Sequence, residues 1–385
     1  MTTTQDHRTE TISLPDVLAI LREHAHSVDR DARFPSESVA ALRAANLLAA
    51  AIPVELGGDG ATLTELAHTA RALGAECAST AMIFVMHQSQ ILSLVRHGKS
   101  DAMQKLLHHI AEEQPLVASA TTEINIGGDV RSSSCAVEYD GDRIRLSKNA
   151  PVISYGEYAE IILATARRSV DSPPSDQVLV ACVKPDVQLE KTGNWDTMGF
   201  RGTCSPGFML DASAPSSNIL GDNYGDISAQ TMLPVAHVLW ASAWLGIADA
   251  AVSKARRFVQ KAARRTPGTP PPSALRLAEL MVLHEQMADT VFMSASKFEE
   301  IADDPQQLSA LGFALKINAT KVTASSLVIQ IVGQALQICG ISGYREDSDL
   351  SIGRHLRDAH GSAIMVSNER ILGHNSQLAL IFKGK

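Results

Sequence analysis

Cysteine is scarce in this chain. Five residues (Cys77, Cys135, Cys182, Cys204 and Cys339) lie scattered through 385 positions. Their number is odd and no two have metal-ligand spacing, which argues against a disulfide framework or a zinc site and for a reduced, cytoplasmic protein. Positive charge is not in excess. The 34 Lys+Arg against 42 Asp+Glu give a net charge of -8, the opposite of the basic balance of a nucleic-acid binder. No uninterrupted apolar run approaches the ~18 residues needed to cross a bilayer, so neither nucleic acid nor membrane is an expected partner. Residues Met1–Thr11 are polar and lack the apolar segment of a secretory signal. What remains is a chain with 45% hydrophobic and 20% charged residues, long enough for a large core.

Apolar spacing divides the chain into three blocks. Residues 1–113 read as helices. Ser13 before Pro15 marks a helix start, Pro35 opens a second helix, and a turn follows at Pro53–Gly60. Residues 114–226 read as a β-domain of short strands at Leu116–Thr121, Cys135–Tyr139, Arg143–Leu146, Ile161–Ala166, Gln177–Val183 and Gly207–Leu210, separated by turns such as Asp140-Gly141-Asp142. That pattern suits a small barrel or sandwich. Residues 227–385 return to long helices, expected over Met232–Ala263, Ala274–Ile301, Gln307–Cys339 and about Ile352–Ala379, with a proline-rich break at Thr266–Pro272. The expected fold class is mainly α with a central β-domain.

Four ordered motifs accompany this layout: Ala120-Thr121-Thr122-Glu123 with Gly127-Gly128-Asp129; Trp195-Asp196-Thr197-Met198-Gly199-Phe200-Arg201-Gly202-Thr203; Gln337-Ile338-Cys339-Gly340; and Arg357-Asp358-Ala359. In this order and at these separations the chain resembles the acyl-CoA dehydrogenase superfamily over nearly its whole length. The resemblance implies an N-terminal helical bundle, a small β-barrel, a C-terminal four-helix bundle and bound FAD. It places the backbone and hydroxyls of Ala120, Thr121 and Thr122, together with Ser154, at the flavin edge. It places Arg264 or Arg265 at the cofactor phosphates, where a planar guanidinium donates two bonds at once. Gln337 and Gly340 fall at the adenine half, Asn368 beside the cofactor, and Gly128 and Val366 beside the substrate. It also implies a homotetramer, with the phosphate contact supplied by a neighbouring chain.

The departures bear on the chemistry. Removing an α-proton from an acyl thioester needs a base within reach of that carbon. Family members place a glutamate seven residues after the Arg-Asp-Ala motif, and Val366 stands there. A subset uses the first C-terminal helix, but the stretch matched to it, Phe258–Ala263, has no acid. Glu369, nearly one helical turn on, and His360 are the candidate acid–base residues. A tryptophan that stacks on the flavin in the family is replaced by Val152. His355 and Cys204 read as packed residues, Trp195 as a turn residue, His108 and His109 as solvated, and Arg354, Arg357 and Asp358 as a set containing an ion pair. His284-Glu285 lacks the second histidine of a zinc helix. Three functions stay open: an FAD-dependent dehydrogenase of an acyl thioester carried on CoA or a carrier protein, with an electron-transfer partner; a two-component monooxygenase served by a flavin reductase; and a non-catalytic flavoprotein.

Overall fold

The computed structural model describes residues 12–124, 132–265 and 267–383. Gly128 and its neighbours Gly127 and Asp129 lie outside the described residues, as does Met1–Thr11. The N-terminal helices are α1 (Leu14–Arg30), α2 (Ser36–Ala44), α3 (Leu63–Glu76), α4 (Ala78–His97) and α5 (Asp101–Glu113). Local sequence sets their starts. Ser13 and Asp16 form a reciprocal capping box on α1, with Pro15 in the first turn, and Thr62 and Glu65 do the same on α3. Almost all of α4 is buried, because α3, β1 and the C-terminal bundle pack around it. His87 of α4 accepts from the Val117 amide at Nδ1 and donates from Nε2 to the Leu48 carbonyl, at 3.0 and 2.7 Å. Burial pushes it down to about 4, so it is a neutral tie between the helices and the first strand.

The strands are β1 (Val117–Ala120), β2 (Glu138–Asp140), β3 (Arg143–Ala150), β4 (Ile161–Arg167), β5 (Gln177–Val183), β6 (Val187–Lys191) and β7 (Phe208–Pro215). They form two sheets, ordered β1-β4-β5 and β2-β3-β7-β6; the β1–β4 pair is parallel and the other pairs are antiparallel. β4 and β5 are buried through six of their seven residues, whereas β3 alternates. This is the difference between a strand covered on both faces and one with a wet face. The extra strand β6 was not expected. Its Gln-Leu-Glu-Lys run is mostly exposed and pairs at the sheet edge with β7.

The chain returns to helix with α6 (Tyr224–Ile227), a π-helical turn at Ser228–Met232, and the 33-residue α7 (Leu233–Arg265). Then follow α8 (Ala274–Glu300), α9 (Pro305–Leu308), α10 (Leu311–Cys339), α11 (Ile341–Tyr344), α12 (Gly353–Gly361) and α13 (Asn368–Ile381). Gly74 and Gly246 allow α3 and α7 to cross with their backbones in contact: a Cβ on Gly246 would strike the Arg71 carbonyl. Two expectations need correction. The helix expected over Ile352–Ala379 is two helices, broken at 362–367, where Val366 has a φ of 48°. Three helices also prove long and apolar enough to cross a membrane by length and composition: Ala78–His97, Tyr224–Arg265 and Leu311–Cys339. In the first two, 83% of the apolar window is buried inside the protein; in the third, only 44% is.

Candidate flavin and substrate site

The β-domain and the C-terminal helices meet along a continuous run of hydrogen bonds. The Ser205 hydroxyl donates to Ser154 at 2.9 Å and lies 2.8 Å from the Thr203 hydroxyl. Thr203 donates to the Phe200 carbonyl at 2.9 Å, and the Phe200 amide donates to the Asp358 carboxylate at 2.6 Å. A candidate flavin hydroxyl is thereby tied to α12. The packing is as close as the bonding. A Cβ on Gly199 would strike the Arg357 carbonyl, and one on Gly361 would stand 2.6 Å from the Phe200 ring. Burial pushes the Asp358 carboxyl up to about 6, against the lowering effect of the Phe200 amide. Asp358 is thus an acceptor in this seam. The ion pair expected within the Arg-Asp-Ala motif is made by Arg357 with Asp29 and Glu346 instead. Trp195 donates to the Phe200 carbonyl at 3.2 Å, which makes it part of the same turn. Cys204 is half-buried, its Sγ 3.8 Å from the Ala32 carbonyl.

Thr121 and Thr122 are half-buried and Ala120 is fully buried. The Thr122 hydroxyl lies 3.5 Å from the Val152 carbonyl, which brings this loop beside the segment holding Ser154. Directly behind, Glu123 gathers the Ser133 and Ser134 hydroxyls and the Ser134 and Cys135 amides. It also faces the Lys148 ammonium at 3.4 Å. Burial alone would raise this carboxyl, but the Ser134 bond, the Lys148 charge and the Ser133 bond together leave it lowered. Glu123 therefore stays ionised and holds Thr121 and Thr122 from behind.

On the helical side the Val366 carbonyl accepts from the buried Lys321 of α10 at 2.7 Å, and Lys321 also donates to Asn368 Oδ1 at 2.7 Å. Asn368 begins α13 and exchanges bonds with Ser325, so it is engaged by the bundle. His360 and Glu369 are both exposed. Since Val366 is not helical, Glu369 is not one helical turn from it, and the spacing argument for substitution falls. His355 is buried and accepts from Lys254 at 2.9 Å; burial, then the charges of Lys254, Arg354 and Arg357, hold it well below its usual range. His284 is paired with Asp249 at 2.6 Å, and no metal-holding cluster occurs among the described residues. Arg264, Arg265, Gln337 and Gly340 are all exposed. Gln337 lies sixteen residues beyond Lys321 on α10, about 24 Å along a helix, so one chain separates this group from the Val366 turn.

The residues suit a flavin. Half-buried hydroxyls at Thr121, Thr122 and Ser154 can meet a polar ring edge, and the apolar Val152, Ile364 and Val366 are left 38%, 74% and 44% exposed, surface that a flat aromatic ring would cover. The family models for the N-terminal and C-terminal domains of acyl-CoA dehydrogenases match residues 18–114 and 223–369. The chain belongs to the acyl-CoA dehydrogenase family. Its relatives include cyclohex-1-ene-1-carbonyl-CoA dehydrogenase of Geobacter metallireducens, 26% identical with 93% of each chain covered. The human mitochondrial short-chain specific acyl-CoA dehydrogenase is 25% identical, covering 90% of this chain and 83% of its own. Among solved structures, TdsC from Paenibacillus sp. with FMN and indole shares the fold at a TM-score of 0.83, with 18% identity and 97% of each chain covered. Butyryl-CoA dehydrogenase from Megasphaera elsdenii does so at 0.76, with 20% identity and 98% and 100% covered. This acyl-CoA dehydrogenase-family chain is accordingly a flavoenzyme, and the non-catalytic reading is set aside; FAD is the flavin typical of the family.

Sequence spacing missed where the first C-terminal helix meets the site. Lys321 lies 5.7 Å from the Trp244 ring, so the part of α7 beside Val366 is its first half. Phe258, where an acid was sought, begins fourteen residues further along, about 20 Å away along a helix. Only a side chain reaching between α7 and α10 discloses this register.

Proposed function

We propose that this flavoenzyme carries out oxygen-dependent chemistry of the monooxygenase type, with electrons delivered by a separate flavin reductase. The observation that carries this reading is a site without a carboxylate at either customary position: Val366 stands at the family's glutamate position, and the stretch of α7 beside it, Leu233–Ala248, contains no Asp or Glu. An apolar, carboxylate-free wall cannot take an α-proton but can exclude water from a reactive flavin. FAD, when bound, supplies the redox chemistry. In this reading Ala120, Thr121, Thr122 and Ser154 bond the ring edge, Val366 and Gly128 border the substrate, and His360 is the acid–base group. One solved structure of the same fold is named dibenzothiophene monooxygenase.

A second reading, desaturation of an acyl thioester on CoA or a carrier protein, is favoured by the names of the curated relatives, with Glu369, exposed in the first turn of α13, as the carboxylate it would need. In either reading Arg264, Arg265, Gln337 and Gly340 would serve the phosphate and adenine half of a neighbouring chain's cofactor, within a homotetramer. The apolar surface left on α10, with the exposed Leu372 and Leu380 of α13, supports such an assembly; light scattering of the flavin-loaded protein tests it.

Stopped-flow absorbance of the FAD-loaded protein separates the two reactions. The oxygen-dependent reading expects no bleaching by acyl thioesters under anaerobic conditions. It also expects reduced flavin supplied by a reductase to react with oxygen differently from free reduced flavin, with the difference altered in His360→Ala. Rapid anaerobic bleaching by an acyl thioester, slowed ~10²-fold or more in Glu369→Gln as loss of a general base requires, would overturn it in favour of desaturation.

A further inference from the structure

Lys321 is a fully buried cation with no carboxylate partner among the described residues. Its ammonium has three N–H groups. One donates to the Val366 carbonyl and one to Asn368 Oδ1, both at 2.7 Å, and the Trp244 ring stands 5.7 Å away. Isolated buried charge is costly, and a lysine that served only packing would be replaced without loss by methionine. The cost here is met by neutral acceptors and an aromatic face, and both acceptors belong to one short segment. That segment holds Val366 at a φ of 48°, a left-handed conformation that a β-branched side chain adopts only under external restraint.

We infer that Lys321 is the positioning residue of the Val366 turn: its ammonium holds residues 366–368 in the left-handed arrangement that sets which side chain residue 366 presents to the flavin cleft. The inference rests on the proposed site only for the last step, the proximity of residue 366 to flavin; the restraint itself is independent of it.

The groups facing Lys321 come from α7, α10 and α13. From α7 comes His237, pushed down to about 3 by burial and then by the charge of Lys321, with a bond to Ile317 opposing; it is neutral throughout the working range. Trp244 is the other contributor from α7. From α13 comes Asn368, and from α10 itself Ser325, which bonds the same Asn368 oxygen. No acid opposes the charge among these groups, and burial lowers the lysine to about 8. The restraint should therefore weaken as pH rises through that value.

Hydrogen–deuterium exchange of the full chain, with and without FAD, tests the restraint. In Lys321→Met, peptides spanning 362–370 should exchange roughly tenfold faster or more, the effect of losing one charged hydrogen bond, while β4 and β5 are unchanged. In the wild type, corrected for intrinsic base catalysis, the same peptides should gain exchange above about pH 8, and that gain should vanish in Lys321→Met. If Lys321→Met does not fold, Asn368→Leu, which removes one acceptor, gives the same local signature at smaller size. Adding Val366→Gly to Lys321→Met should restore the turn in part, since glycine adopts this φ freely. Unchanged exchange at 362–370 with a flat pH response overturns the inference whether or not flavin is bound. A loosened turn with an unaltered flavin absorbance spectrum upholds the restraint and instead removes residue 366 from the flavin's neighbourhood.

Discussion

The β-domain behind Thr121–Glu123 and the helical bundle beneath Val366 each bury a lysine, and they neutralise it in different ways. Lys148 faces the carboxylate of Glu123 and also donates to the carbonyl and hydroxyl of Thr165. Burial still lowers it, but Glu123 pulls the other way. Among the described residues, Lys321 has a backbone carbonyl, an amide side chain and an indole ring as its partners. An ion pair fixes its region as a unit, because removing either charge strands the other. A cation on neutral acceptors holds a local turn, at a cost carried by the whole fold. The first arrangement suits the loop that supports a cofactor edge, and the second suits a turn whose side chain sets the chemistry.

The comparison breaks most visibly at the ion pair. Glu123→Leu should destabilise the protein by about 3–5 kcal/mol, the usual result of leaving a buried charge unpaired, measured as a loss in denaturant midpoint with an unchanged slope. Lys321→Met should behave differently and depend on pH. The folded-state value of Lys321, about 8, lies below its ordinary 10.5, so the unfolded chain binds more protons between these limits and stability rises with pH there. The cost of the buried charge is fully present below pH 8. Hence wild type should gain on Lys321→Met by on the order of 3 kcal/mol between pH 8 and 10.5, read from paired unfolding curves at each pH.

Smaller effects probe what joins the two regions. Gly199→Ala should cost about 1–3 kcal/mol by overpacking, because the added methyl meets the fixed Arg357 carbonyl, and it should lower flavin retention on gel filtration by opening the seam from Ser154 to Asp358. Val366→Gly should change stability least. Relief of the left-handed strain, about 1–3 kcal/mol, is offset by the entropy of glycine, about 0.5–1 kcal/mol, so a net gain near 1 kcal/mol in thermal unfolding is expected. A net loss there would mean that the valine side chain packs rather than protrudes.

Local chemistry wrote much of this protein legibly. Ser13 and Pro15 set a helix start through local chemistry, which needs only neighbours in sequence. The short apolar runs of Ile161–Ala166 and Gln177–Val183, rich in β-branched residues, marked their strands, and the motif order marked the family. The exposed β6 escaped because it carries little apolar pattern of its own and exists by pairing with β7. The continuous helix expected over Ile352–Ala379 failed at 362–367, where Lys321, more than forty positions away in sequence, holds the backbone out of helix.

The sequence by itself determined the family, the three-block layout and the absence of a carboxylate at position 366, since each depends on residue type and order along the chain. Tertiary structure alone decided that Glu123 is a buried anchor, that Asp358 accepts from Phe200 instead of pairing with a neighbouring arginine, and that the first half of α7 adjoins the Val366 turn. Those relations join residues tens to hundreds of positions apart, through contacts whose energies depend on burial and geometry and so leave no periodic trace in the chain.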